Sequence, residues 1–213
     1  MRLWISALTM LLAFQTSSVM AHSGGLNAQG CHNNRKTGDY HCHSSSTTTK
    51  KQLTTQTSSY SRSQFGKGWA DLDSDCQDSR QEALISQSTN QVIFKDSSNC
   101  KVLQGRWISP YTGNVIYDAS KIDIDHVVPL KWAWDHGASG WTESMRKAFA
   151  NDPVNLWVVE ASLNRQKGAK GLDQWLPPAG QCQYASRFLR LSKIYNLAIP
   201  QSVVDTQRKV CGQ

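Results

Sequence analysis

The sequence predicts an α+β fold, and three observations carry that reading. Ile122-Asp123-Ile124-Asp125-His126 alternates apolar with acidic residues, the period of a half-buried strand. Pro129 cannot donate to a sheet ladder, so the strand should end there. Asn155-Leu156-Trp157-Val158-Val159 reads as a second strand, followed at once by a short helical stretch over residues 161–170. Residues 182–210 read as two helices: Phe188, Leu191, Ile194 and Tyr195 form an apolar stripe on the first, and Pro200 starts the second.

Taken in order, the chain opens with a secretory leader over residues 1–21. Arg2 is its charged start, residues 3–14 its apolar run, and Val19-Met20-Ala21 a small-residue cleavage site. The apolar run is too short to cross a bilayer, and no later segment is long enough. Loss of Arg2 lowers the formal charge from +7 to +6, a balance that favours polyanions or anionic surfaces as partners. Residues 22–43 form a Cys/His-rich module holding four of the six histidines and two of the six cysteines. Cys31-His32 and His41-Cys42-His43 flank a turn-forming Thr37-Gly38-Asp39. Two readings stay open for it. One is a Cys31–Cys42 disulfide closing a hairpin; the other is a Zn²⁺ site drawn from Cys31, His32, His41, Cys42 and His43. Residues 44–64 read as a Ser/Thr-rich tether, because such a composition buries too little to offset its ordering entropy. A folded domain of residues 65–213 follows.

Its first part is framework. Residues 79–86 and 91–94 are short candidate elements, the second rich enough in Val, Ile and Phe to be a strand. Cys76 and Cys100 bracket them, and Cys182 and Cys211 bracket the C-terminal region. An even cysteine count in an exported chain makes disulfides the default, although pairing is not fixed by sequence. Trp107-Ile108-Ser109-Pro110-Tyr111-Thr112-Gly113 ends in turn chemistry and should deliver the chain to the Asp123–His126 strand. Between the two strands, residues 131–136 form a helix capped by Gly137, and residues 142–150 form another with Thr142 as its N-cap. His136 and Trp141 are expected to pack rather than to catalyse.

The chemistry concentrates at Asp125-His126. A hard oxygen ligand beside a group that titrates near neutral pH, both at a strand terminus, suits metal-assisted hydrolysis of a phosphodiester. In the helix after the second strand, Asn164 and Lys167 are three residues apart and share a face, so both can look toward one cleft.

Four ordered blocks sharpen this: Asp125-His126-Val127-Val128-Pro129-Leu130, then Phe149-Ala150-Asn151-Asp152-Pro153-Val154-Asn155-Leu156, then Asn164-Arg165-Gln166-Lys167-Gly168, then Trp175-Leu176-Pro177-Pro178. Together, over roughly residues 72–195, they resemble the secreted bacterial HNH endonucleases. These are His-Me finger (ββα-metal) nucleases related to the C-terminal nuclease domain of modification-dependent restriction enzymes. The resemblance implies a ββα-metal (HNH) finger in which Asp125 and Asn164 hold Mg²⁺ or Mn²⁺. It makes His126 the general base and Asn155 the asparagine that holds the loop between the strands. Arg165 and Lys167 become candidate contacts to substrate phosphate. Asn164 lies 38 positions beyond His126, a long spacing, so Glu160 and Asp123 stand in reserve as third ligand. The implied activity is an exported endonuclease acting on DNA, with RNA as the other candidate substrate. Because the sequence offers no obvious recognition helix, contacts should be mostly to phosphate, with little sequence specificity. The alternative is a non-enzymatic exported metal- or polyanion-binding protein whose working part is the Cys/His module.

Overall fold

The structure, a computed structural model, describes Cys31–Asn33, Tyr40–Cys42 and residues 59–212. The expected leader, most of the Cys/His module and residues 44–58 of the expected tether lie outside the described residues. The chain divides into two units, Met1–Thr49 and Lys50–Gln213. In the first, strands β1 (Cys31–Asn33) and β2 (Tyr40–Cys42) pair antiparallel, with Cys31 opposite Cys42 and His32 opposite His41.

The second unit is an α+β domain whose centre is a two-stranded antiparallel sheet, β6 (Ile122–His126) with β7 (Leu156–Glu160). Helix α4 (Ala161–Lys167) follows β7 without a break, completing a ββα unit. Alternation along the strands feeds two separate cores. Ile122, Ile124, Leu156 and Val158 pack with Ala83, Leu84 and Trp107, which come from α1 (Ser79–Ser86) and β4 (Val102–Ile108). Trp157 and Val159 join the larger core with Val127, Val128, Phe149, Tyr184 and Phe188. That core draws on α2 (Leu130–Asp135), α3 (Glu143–Asn151), α5 (Gln181–Ile194) and α6 (Gln201–Val210). The acidic residues of β6 sit across from the second set, with Asp123 paired to Val159 and Asp125 to Trp157. Asp125 therefore lies on a buried face, and only 3% of it is exposed.

Local chemistry explains most boundaries. Asp78 caps α1 by accepting from the amides of Arg80 and Gln81, and Thr142 caps α3 by accepting from Met145. Helix α4 stops at Lys167, earlier than the expected residue 170, because Gly168 takes φ 55° there. Two strands escape the sequence reading. Strand β4 pairs with β3 (Ile93–Phe94) and with β5 (Val115–Asp118), so Trp107 and Ile108 lie in a strand, and the turn expected at the end of their segment falls at residues 110–112. Their alternation is hidden by Gln104-Gly105-Arg106 and by a register shift between Gln104 and Trp107. Disulfides Cys76–Cys100 and Cys182–Cys211 form, closing separations of 24 and 29 residues. Each contributes roughly 3 kcal/mol by restricting the unfolded chain.

The folded unit also begins earlier than composition suggests. Tyr60 packs edge-on to Trp134 with ring centres 6.1 Å apart, and Arg62–Phe65 forms a 3-10 turn whose Phe65 is buried in the larger core. Tyr60 inside the Ser/Thr-rich run and Phe65 just beyond it anchor the run's last residues. Among the described residues, no helix is long and apolar enough to cross a membrane.

Candidate active site

Asp125 and His126 are consecutive, so they belong to opposite faces of β6, and a cleft reached by both must lie across the strand's end. Such a cleft of about 410 Å³ exists, walled by Tyr60, Arg62, Asp125, His126, Lys131 and Asn164. His126 is 7% exposed, and its Nε2 lies 2.8 Å from the carbonyl oxygen of Ala150. A carbonyl only accepts, so the ring proton sits on Nε2 and Nδ1 carries the lone pair. Nδ1 has no hydrogen-bond partner among the described residues. Trp69 stacks on the ring at a centroid distance of 5.2 Å. Burial pushes the imidazole pKa down to about 3, overcoming the upward pull of the Ala150 carbonyl, so the ring is a neutral base at pH 7.

Asn155 holds the turn that presents His126. Its Oδ1 accepts from the Val128 amide at 2.9 Å and its Nδ2 donates to the Val128 carbonyl at 3.3 Å. Its own carbonyl accepts from the Val127 amide at 2.8 Å, and the residue is wholly buried. The loop between strand and helix is thus pinned from both sides by one asparagine.

Burial raises the pKa of Asp125, and Lys167 opposes the rise; burial lowers the pKa of Lys167, and Asp125 opposes that fall. The two meet at 2.6 Å, Lys167 Nζ to Asp125 Oδ2, with both side chains almost fully enclosed. Nζ also donates to the carbonyls of His126 at 2.6 Å and Val127 at 3.1 Å. Tyr111, fully buried, donates its hydroxyl to the same Oδ2 at 2.5 Å. Asp125 Oδ1 accepts no hydrogen bond among the described residues. Lys167, expected as a phosphate contact, is therefore committed to the interior: three acceptors surround its ammonium and none of it is exposed. Its shared helix face with Asn164 is as predicted, but the anion it meets is Asp125.

Asn164 lines the same cleft as Asp125, with its Nδ2 donating to Asp123 Oδ2 at 3.3 Å. Its Oδ1 has no partner among the described residues. One carboxylate oxygen and one amide oxygen, both unengaged and lining one cleft, fit a hard divalent cation that completes its shell with water or phosphate. The reserve ligands fit less well. Asp123 is occupied by Asn164 and by Arg165, whose Nε is 3.8 Å away. Glu160 pairs with Ile122, three register positions from Asp125, or roughly 10 Å along the ladder. Its carboxylate accepts from the hydroxyls of Ser109 and Thr112. Arg165 is largely exposed and remains available to solvent-side partners.

Of the second candidate site, only backbone is described: Cys31, His32, His41 and Cys42 occupy adjacent register positions of one hairpin, and His43 lies outside the described residues. His136 stacks on Trp132 at 3.7 Å and bonds its carbonyl at 2.7 Å, a packing role. The sequence reading missed Tyr111, Trp69 and Arg62 as parts of the site, because each arrives through contacts distant along the chain. Tyr111 carried the one visible hint, an aromatic residue inside an otherwise turn-forming segment.

Residues 78–199 match the family described as GmrSD restriction endonucleases, C-terminal domain. An uncharacterized secreted protein from Arthroderma benhamiae is 37% identical over 144 residues, covering 66% of this chain and 68% of the relative. No solved structure matches the chain. The match spans α1 through α5 and contains Asp125, His126, Asn155, Asn164 and Lys167, so the chain belongs to the family of GmrSD restriction-endonuclease C-terminal domains and is a nuclease-type enzyme.

Proposed function

We propose that this protein is an exported, metal-dependent HNH-type endonuclease that hydrolyses phosphodiester bonds of DNA with little sequence specificity. The observation that carries the reading is the end of β6. There a neutral imidazole with a free Nδ1 stands next to a carboxylate with a free Oδ1, and both line a cleft shared with Asn164. Water bound in the cleft gives its proton to His126 Nδ1 and attacks phosphorus in line with the 3′ oxygen. The Ala150 carbonyl holds the other ring nitrogen and is positioned to stabilise the imidazolium that forms. Asn155 fixes the turn carrying the base, and Lys167 with Tyr111 fixes the Asp125 carboxylate through Oδ2, leaving Oδ1 without a hydrogen-bond partner among the described residues. Mg²⁺ or Mn²⁺ held by Asp125 and Asn164 would supply positive charge for the phosphate and for the departing oxygen.

Export fits the two disulfides, which belong to an oxidising compartment. It also fits the secreted relative. Contacts to nucleic acid are mainly to phosphate, in keeping with a formal charge of +7. The test is incubation of the mature protein with supercoiled plasmid, linear duplex and RNA, with Mg²⁺, Mn²⁺, Zn²⁺ or EDTA. Nicking and degradation of DNA that require Mg²⁺ or Mn²⁺ support the reading. An intact plasmid under every metal condition would refute it.

A further inference from the structure

Three cations line or border the cleft, and they are not equivalent. Lys167 is buried against Asp125, and Lys131 is tied to Asp135 at 2.5 Å. Arg62 lines the cleft with Asp125 and His126, and also a small adjoining cavity with Trp69 and His126. Its guanidinium makes no hydrogen bond or ion pair among the described residues. The backbone that carries it is nevertheless firmly held. Ser61 and Gln64 form a reciprocal capping box around the Arg62–Phe65 turn. Phe65 is buried against Trp134 and Phe149, with ring centres 6.2 and 6.3 Å away, and Arg146 Nε donates to the Gln64 carbonyl at 2.9 Å. A planar five-donor fork rooted on a rigid turn at the mouth of a cleft suits one ligand chemistry, the paired non-bridging oxygens of a phosphate.

We propose that Arg62 binds the phosphodiester entering this cleft, so that the working site includes a residue sixteen positions upstream of the segment matched to the family, residues 78–199. This rests on the nuclease reading for its catalytic consequence, but not for the phosphate contact itself. The contact is separable because Arg62 can hold a phosphate whether or not His126 then activates water.

The experiment compares wild type, Arg62→Ala, Arg62→Lys and Arg208→Ala as full mature chains. Arg208 is an exposed residue of α6 facing Asp205 at 3.7 Å, and it controls for loss of one positive charge. Binding to a fluorescent DNA duplex is measured in EDTA across a salt series, and cleavage is measured with Mg²⁺ or Mn²⁺. Arg62→Ala should flatten the slope of log K against log[salt] by about 0.9, the loss of one phosphate contact. It should also lower kcat/KM by roughly 10- to 100-fold, the usual loss of a charge-assisted hydrogen bond. Arg62→Lys should keep the slope and recover only part of kcat/KM, because it restores charge but not the fork. Arg208→Ala should match wild type in both, and all four proteins should melt together. An unchanged salt slope in Arg62→Ala would overturn the proposal, whatever happens to cleavage. A flattened slope with a wild type that cleaves nothing would leave the phosphate contact standing and refute the nuclease reading instead.

Discussion

Replacing Lys167 with methionine isolates the pair at the heart of the ββα unit. The lysine is fully buried and gives its ammonium to Asp125 Oδ2 and to the carbonyls of His126 and Val127. Lys167→Met keeps similar bulk, yet leaves the carboxylate enclosed with only the Tyr111 hydroxyl as donor. Removing one partner of a buried ion pair costs about 3–5 kcal/mol, because the remaining charge stays desolvated. In a domain of this size each kcal/mol shifts the melting temperature by about 2–4 °C, so the variant should melt on the order of 10 °C lower. The second change supplies the sign test. Asp125→Asn in the Lys167→Met background removes the stranded charge while keeping an oxygen for Tyr111 to donate to. The double variant should therefore be more stable than Lys167→Met alone, with a coupling of about 2 kcal/mol in a double-mutant cycle. Both variants should lack activity. Thermal and urea denaturation with the disulfides intact gives the four stabilities. Additive effects, or a Lys167→Met protein that melts with wild type, would refute the account of the pair as an interior clamp.

Three further predictions concern the rest of the site. Asn155→Ala removes two side-chain hydrogen bonds to Val128 and should cost about 1–3 kcal/mol, read by denaturation, with a fall in kcat as the turn carrying His126 loosens. Asn164→Ala removes a neutral ligand and should regain most cleavage when Mg²⁺ or Mn²⁺ is raised, whereas Asp125→Ala, which removes an anionic one, should not; a fully active Asn164→Ala protein at low metal would exclude the residue as a ligand. Truncation before Ser59 should leave cleavage largely intact, while truncation before Gly66 should abolish it by removing Tyr60, Arg62 and Phe65; equal activity of the two would show that the turn is dispensable.

The core of the ββα unit is legible in the sequence because its signals are local. The alternation of residues 122–126 and the cap at Thr142 are short-range effects that survive in the fold, whereas β6 already ends at His126, short of Pro129, and Gly168 ends α4 before the expected residue 170. What was not legible depends on contacts between distant segments. Strand β4 hides behind a register shift, and the role of Tyr111 exists only because β4 and the loop after it bring its hydroxyl to Asp125. Lys167 shows how a correct face can mislead: helical spacing placed it toward the site, but burial decided that its partner is a carboxylate rather than a phosphate. Composition failed at residues 60–64 for a related reason. A Ser/Thr-rich run has too little apolar surface on average, yet Tyr60 and Phe65 alone suffice to dock its end against Trp134 and Phe149.

The most direct measurement is the rate of plasmid cleavage by His126→Gln beside wild type at saturating Mg²⁺ or Mn²⁺, with DNA binding and melting temperature followed in parallel. Glutamine retains a polar group near the Ala150 carbonyl but cannot accept the proton from water. The account predicts a loss of about 10²–10⁴-fold in cleavage, with duplex binding and melting close to wild type. Cleavage at the wild-type rate by His126→Gln would contradict the assignment of the base, and with it the proposed mechanism.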